Sequence, residues 1–258
     1  MNIAIGIPCW KRNAYTVQVI EALRKCVIPA DTTVSVFLFP EGPFKQSAYS
    51  LHGSLVDHFP LSGVVPGPDT ILGCNRNTRR VVEYLATRHP DSFCVVLEDD
   101  CVPSPDFLLY TSWAAKVAEG RADVLSVCGF NRVARGASPD PAAAYLHARR
   151  FCSWGYGFWP GMLCMMMEAF NGVAADATVS WDVALSRLMM AKDMCEIRPA
   201  LSRIKNIGAV DGAYNPNEAH HRHRFYGLPV ASDADVKTVF RFVDSTEADK
   251  LTAAANRL

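Results

Sequence analysis

Hydrophobic and polar positions divide the chain into two stretches of different rhythm. In the first, short continuous apolar runs alternate with segments of helical spacing. Residues 2–8 (NIAIGIP) form a β-rich run, and 13–28 carry Val17, Ile20, Leu23 and Val27 at helical intervals behind Asn13, a favoured N-cap residue. Residues 33–39 (TVSVFLF) make a second buried run that stops at Pro40-Glu41-Gly42-Pro43. Strand, helix and strand in that order predict a βαβ unit with parallel strands. A looser stretch over 44–70 contains Gly53, Gly63, Pro66, Gly67 and Pro68, and the alternation then resumes with helix 75–88, strand 93–97, helix 105–118 and strand 123–128. Beyond 130 the rhythm changes. Residues 131–143 read as loop, and 151–161 (FCSWGYGFWPG) as an aromatic, glycine-rich segment. Helices follow over 162–174 and 181–193, then a short strand near 195–198, an irregular region over 208–233 and a terminal helix over 245–256 capped by Ser245. There is no internal repeat and no low-complexity linker, so one α/β domain over 1–258 with a mostly parallel sheet is expected.

The strand at 93–97 ends in Glu98-Asp99-Asp100, followed by a proline-rich turn and a new helix. Two full charges about 4 Å apart repel by about 1 kcal/mol in water and about 4 kcal/mol at an effective dielectric of 20. A divalent cation removes that cost, and carboxylate oxygens suit Mg2+ or Mn2+. In open α/β sheets the ligand crevice lies at the carboxyl ends of the strands, where these acids stand. The same residues also fit a solvated turn or a helix N-cap. Ser104-Pro105-Asp106 already supplies a cap with proline at the first helical position, and Glu98, Asp99 and Asp100 come too early to serve it.

Composition narrows the classes. The 258 residues are half apolar and one-fifth charged, as in an ordinary globular protein, and 26 basic residues balance 26 acidic ones. A net charge of zero argues against broad electrostatic capture of nucleic acid or anionic membrane. The N-terminus has no basic region before an apolar stretch, and no apolar run is as long as a membrane span. The nine cysteines form no C-x-x-C pair, which suits reduced thiols and a cytoplasmic location.

Several segments in order resemble bacterial nucleotide-sugar-dependent glycosyltransferases of the GT-A fold, the surface-polysaccharide type, and more distantly the inverting N-acetylglucosaminyltransferases. They are IPCWKRNAYTVQVIEALRKC, LGCNRNTRRVVEYL, VVLEDDCVPSPDFLLY, SVCGFN, FCSWGYGFWP, SWDVALSRLMM and IRPALSRIKNIG, with a His-rich stretch from Glu218 to Arg224 afterwards. The resemblance implies a GT-A-type nucleotide-diphospho-sugar transferase domain, with 1–130 as the nucleotide-binding half and 131–258 as the acceptor half. It puts Glu98-Asp99-Asp100 at the family's DxD-type position, with Asp100 as the direct metal ligand and Asp99 facing the donor ribose or a metal-bound water. The nucleotide would lie on the turn Pro8-Cys9-Trp10-Lys11-Arg12, where Arg12 adds positive charge, although Arg12 fits a solvated turn as well. Glu41 stands where an acid accepts from the base imide, and the family more often has Asp there. Gly73, Asn75 and Arg76 match a stretch under the nucleotide, and they also fit simple helix-start chemistry. In the glycine loop, Gly155 allows close approach of the donor and Trp154 offers a flat face to a sugar ring.

Asp182 opens a helix, where an acid also suits the macrodipole. The resemblance makes it the general base toward the acceptor hydroxyl; relatives often carry a second acid next to it, where Val183 stands here. The family's late histidine ligand corresponds to His220 or His221, with His221 favoured, after the Asn206-Ile207-Gly208 motif. Arg222 and Arg224 would hold the diphosphate on a closing loop. The expected reaction is Mn2+- or Mg2+-dependent transfer from a nucleotide sugar, first of all a UDP-sugar, to a hydroxyl, with inversion. The acceptor is a saccharide, or else a protein or a nucleic-acid base, the last being less in keeping with zero net charge. The rival classes are a nucleotidyltransferase, whose glycine-rich loop residues 8–13 lack, and a non-catalytic nucleotide-sugar-binding module.

Overall fold

The computed structural model describes residues 1–42, 45–133, 135–148, 150–175, 180–210 and 217–243, with 247 and 250. Strands β1 (Asn2–Cys9) and β2 (Thr33–Pro40) pair in parallel from Asn2↔Thr33 to Cys9↔Pro40. Between them α1 (Asn13–Arg24) buries Thr16, Val19, Ile20 and Leu23 against the sheet. Val27, expected on that stripe, lies beyond the helix and is 45% exposed. The N-cap position belongs to Arg12 rather than Asn13, and it makes no side-chain cap bond, since a guanidinium only donates.

The stretch expected to be loose contains α2 (Lys45–Val56) and the short strand β3 (Gly63–Val64), which extends the sheet in parallel from β2. Ala48, Leu51 and Leu55 face the core there at helical spacing, a stripe too sparse to stand out among the glycines and prolines. Helix α3 (Cys74–Arg88) leads to β4 (Phe93–Val96), parallel to β1 from Ile3↔Phe93 to Gly6↔Val96. A three-residue strand β5 (Cys101–Pro103), helix α4 (Phe107–Ala118) and strand β6 (Val124–Cys128) complete the first half.

The second half adds β7 (Ala143–His147), β8 (Tyr156–Phe158), α5 (Leu163–Ala175), α6 (Trp181–Ala191), β9 (Cys195–Pro199), β10 (Ile204–Asn206), α7 (Glu218–Phe225) and β11 (Arg241–Phe242). The expected irregular region therefore holds a helix, while the expected terminal helix over 245–256 lies outside the described residues apart from 247 and 250. The aromatic glycine-rich segment, read as loop, contributes β8, which runs antiparallel between β4 and β6. It thereby joins the two halves in one nine-stranded sheet of order β3-β2-β1-β4-β8-β6-β9-β7-β11. The β1–β2, β1–β4, β2–β3, β6–β9 and β7–β11 junctions are parallel, so the mostly parallel α/β architecture is as expected. Two apolar cores cover the two faces: Ile3, Ile5 and Val95 meet α1 and α4 on one side, and Ala4, Cys94 and Val96 meet α3, α5 and α6 on the other.

A separate two-stranded ribbon sets the mouth of the sheet. β10 pairs antiparallel with β5, from Ile204↔Pro103 to Asn206↔Cys101, so residues 204–208 run back alongside the acidic turn. The ribbon is anchored by a fully buried ion pair. Arg203 donates from Nε and Nη2 to Asp106 Oδ2 at 3.2 and 3.0 Å, and also donates to the carbonyls of Leu201 and Pro141. Its guanidinium carbon lies 5.7 Å from the Tyr110 ring. Asp106 is thus a core ion rather than part of a cap: Ser104 Oγ donates to its Oδ1 at 2.8 Å, and α4 begins with no side-chain cap bond. Removing one partner of a buried pair strands the other charge, which typically costs about 3–5 kcal/mol. Arg203→Met should lose stability on that scale in urea unfolding, and Arg203→Met with Asp106→Leu should recover part of it.

Candidate active site

The carboxyl ends of β1, β2 and β4 open into a cavity of about 430 Å³. Of the residues singled out in the sequence, Pro8, Arg12, Glu41, Gly73, Glu98, Asp99, Asp100, Trp154, Asp182 and Arg224 line it, together with Trp10, Asn77, Thr78 and Asn206. They come from the two ends of the chain because β8 closes the sheet between the halves.

The acidic turn forms the floor. Leu97 N–H donates to the Gly6 carbonyl at 3.0 Å and continues the β4 ladder, so the chain turns only at Glu98. Asp99 is buried, accepting from Trp10 N–H at 3.3 Å and from Arg12 Nη2 at 2.5 Å. Asp100 accepts from Arg12 Nη1 at 2.7 Å and from Asn206 Nδ2 at 3.2 Å. Burial pushes the Asp99 carboxyl up to about 6, with Asp100 adding to the rise and Arg12 opposing it. Glu98 is raised well above its ordinary range, first by desolvation and then by the charges of Asp100, Asp99 and Asp182.

Asn206 holds this floor, and the sequence reading assigned it no role. Its Nδ2 reaches Asp100, while its Oδ1 accepts from Gly208 N–H at 3.0 Å and lies 3.0 Å from His221 Nε2. An oxygen only accepts, so with this amide orientation the histidine proton sits on Nε2. His221 is buried on α7 and reaches the amide that holds Asp100. The His220 side chain is outside the described residues. Gly208 is needed for contact: a Cβ there would stand 2.0 Å from Asp100 Oδ2. The Asn206-Ile207-Gly208 motif was the available signal for both residues.

Two further readings change. Arg76 is exposed and does not line the cavity, because α3 starts at Cys74 and presents Cys74, Asn77 and Thr78 on one face at i, i+3 and i+4 while Arg76 points away. Gly155 adopts φ +63 beside Ile204, and its carbonyl accepts from Gly129 N–H at 2.8 Å. It shapes the loop from within, and the neighbouring Trp154 forms the wall, wedged between Phe130 and Phe225 at 4.5 and 4.8 Å. Glu41 is buried, and its Oε2 already accepts from the N–H groups of Leu72 and Gly73 at 3.0 and 3.1 Å. Asp182 also lines the cavity, sits in the first turn of α6 and accepts from Ser180 Oγ.

The donor set fits a hard divalent cation. Ligand atoms of Glu98, Asp100 and Cys101 lie within 4.8 Å of one another. Burial, reinforced by Asp100 and Glu98, raises the Cys101 thiol far above its ordinary value, and the carboxyl groups of Glu98 and Asp100 supply the oxygen atoms that a hard cation takes. Among the described residues no helix is long and apolar enough to cross a membrane, and every described cysteine is a free thiol.

This mostly parallel α/β fold is shared with glycosyltransferases of known structure. A mannosyltransferase from Pyrobaculum calidifontis, solved with GDP-Man and Mn2+, superposes with a TM-score of 0.52 at 15% identity over 76% of this chain and 54% of that one. The 1–349 fragment of TarS from S. aureus superposes with a TM-score of 0.54 at 10% identity over 79% of this chain and 60% of that one. The chain therefore spans little more than half the length of these structures. No protein-family model matches it, and no curated protein matches it by sequence.

The raised Glu98 carboxyl has a consequence for stability. The folded chain holds a proton there that the unfolded chain releases near the ordinary 4.5, so stability falls as pH rises through the folded value. Glu98→Gln copies the protonated form. In EDTA its melting temperature should match the wild type near pH 4.5 and exceed it increasingly toward pH 8. A constant gap across that range would contradict the assignment.

Proposed function

We propose that this chain is a metal-dependent glycosyltransferase acting as one domain, moving a hexose-type unit from a nucleoside-diphosphate sugar to an acceptor hydroxyl with inversion. The observation that carries this reading is a single cavity that gathers two buried acids bound to Arg12 and a separate acid, Asp182, from the start of α6. The GDP-Man and Mn2+ bound to the Pyrobaculum mannosyltransferase support the same class of donor and ion.

The chemistry follows from the residues. The acceptor hydroxyl gives its proton to the Asp182 carboxylate as its oxygen bonds to the anomeric carbon. The bond from that carbon to the diphosphate breaks on the opposite face, which inverts the centre. Asp100 and Glu98 would hold Mn2+ or Mg2+, which stabilises the charge growing on the departing diphosphate. Arg12 offers its fork to the same phosphates. Asn206 and His221 keep Asp100 oriented. Trp154 presents its ring to the sugar, and Pro8 and Trp10 line the nucleotide side. UDP is the first donor candidate, through the second oxygen of Glu41 and the N–H of uracil, and GDP is next given the mannosyltransferase complex. A growing saccharide is the first acceptor class.

Product analysis tests the class: release of nucleoside diphosphate is expected, and pyrophosphate would instead mark a nucleotidyltransferase. Asp182→Asn keeps the shape but removes the proton acceptor, so kcat should fall roughly 10²-fold or more with donor affinity nearly unchanged. Full activity in that variant, or retention of the donor's anomeric configuration in the product, would overturn the inverting mechanism.

A further inference from the structure

Asp99 and Asp100 are already neutralised from within the chain. Arg12 bridges them with one nitrogen on each, Nη2 on Asp99 at 2.5 Å and Nη1 on Asp100 at 2.7 Å. The three side chains are only 13%, 5% and 9% exposed. The fork is held in place: the Tyr15 ring centre lies 5.6 Å from the guanidinium carbon, and a Cβ on Gly208 would stand 3.1 Å from Nη1. Arg12 also lines the cavity, and its Nε is buried with no hydrogen-bond partner among the described residues. A buried donor without an acceptor is a standing cost that an incoming phosphate oxygen would relieve.

We infer that Arg12 is the resident counter-cation of the Asp99–Asp100 pair, and that a divalent ion enters this site only together with a nucleoside diphosphate, which takes over the guanidinium. The inference rests on the donor reading above. A cation arriving alone meets carboxylates whose charge is spent and a guanidinium that repels it. A diphosphate supplies oxygens that suit the planar fork at least as well as carboxylates do. Once the fork turns to the phosphates, Asp100 has charge to offer the ion, and the ion and the phosphates hold one another. Metal and nucleotide then bind with positive coupling, equal in either order. An arginine is suited to this post because it cannot be neutralised by losing a proton, so the acids are never left bare.

Mn2+ binding, read by the electron paramagnetic resonance of the free ion and by calorimetry, tests this on the full chain with Mn2+ alone and with Mn2+ plus UDP or GDP. Chelation of Mn2+ by nucleotide in solution is common to all variants and drops out of the comparison. The wild type should bind Mn2+ alone weakly and gain about tenfold or more with nucleotide. Arg12→Gln should bind Mn2+ alone about tenfold or more tightly than wild type, bind nucleotide more weakly in EDTA, and lose most of the coupling. Arg12→Lys keeps a charge but not the fork, so Mn2+ alone should stay weak while nucleotide affinity falls; this variant carries the test if the glutamine variant does not fold. Wild-type protein that binds Mn2+ equally well with and without nucleotide overturns the inference and leaves the donor reading standing. So does a folded Arg12→Gln variant with unchanged or weakened affinity for Mn2+ alone. Folded wild-type protein that binds neither UDP nor GDP, with or without Mn2+, overturns the donor reading and this inference with it.

Discussion

Burying consecutive carboxylates at the end of a strand is the constraint around which this molecule is arranged. Each ionised acid loses hydration and repels its neighbour, and both effects are visible in the raised carboxyl of Asp99 and the further raised one of Glu98. The turn is tolerable because one guanidinium reaches both Asp99 and Asp100, and because backbone and amide donors take up the remaining oxygens. The turn between β1 and α1 is shaped by the same demand. Arg12 occupies the N-cap position of α1, where its donor-only guanidinium cannot cap the helix and instead reaches the acids.

The supports of that turn come from far along the chain. Asn206 binds Asp100 across 106 residues of sequence, and the β5–β10 ribbon brings it there. The ribbon in turn depends on Arg203 and Asp106, a pair without solvent contact whose value is geometric rather than simply stabilising. Gly208 completes the arrangement by having no side chain where the Asp100 carboxylate must lie. His221 adds a second layer, fixing the amide that fixes the acid. A site of this kind is stiff on its acidic side. Asp182, in the first turn of α6, comes from the other face of the sheet, so the cavity draws its acids from two packing layers.

How much of this was legible in the sequence depends on the range of the interaction responsible. The β1-α1-β2 unit, α3, β4, α4 and β6 follow from local apolar periodicity, and they were readable because buried parallel strands are continuous apolar runs. The acidic turn was readable for a similar local reason, since three acids after such a run demand an explanation. Short strands were not. β5, β8 and β10 span three residues each, carry no period of their own, and exist only through partners elsewhere in the chain. Helix α7 is strongly polar, so no apolar stripe announced it.

Residue identity thus determined which side chains can do chemistry here, and tertiary structure decided how they are paired. Arg12, Asp99, Asp100, Glu41, Trp154 and Asp182 were candidates by type and position, and one cavity collects them. Arg76 was an equally good candidate by type, yet the 3.6-residue turn of α3 carries it to solvent while Asn77 and Thr78 face inward. That Arg12 neutralises the acids, that Asn206 stands between His221 and Asp100, and that Gly155 packs on Ile204 are consequences of contacts between segments far apart in sequence. Such contacts leave no periodic trace, because hydrogen-bond direction and charge pairing depend on distances that only the closed sheet and its ribbon create.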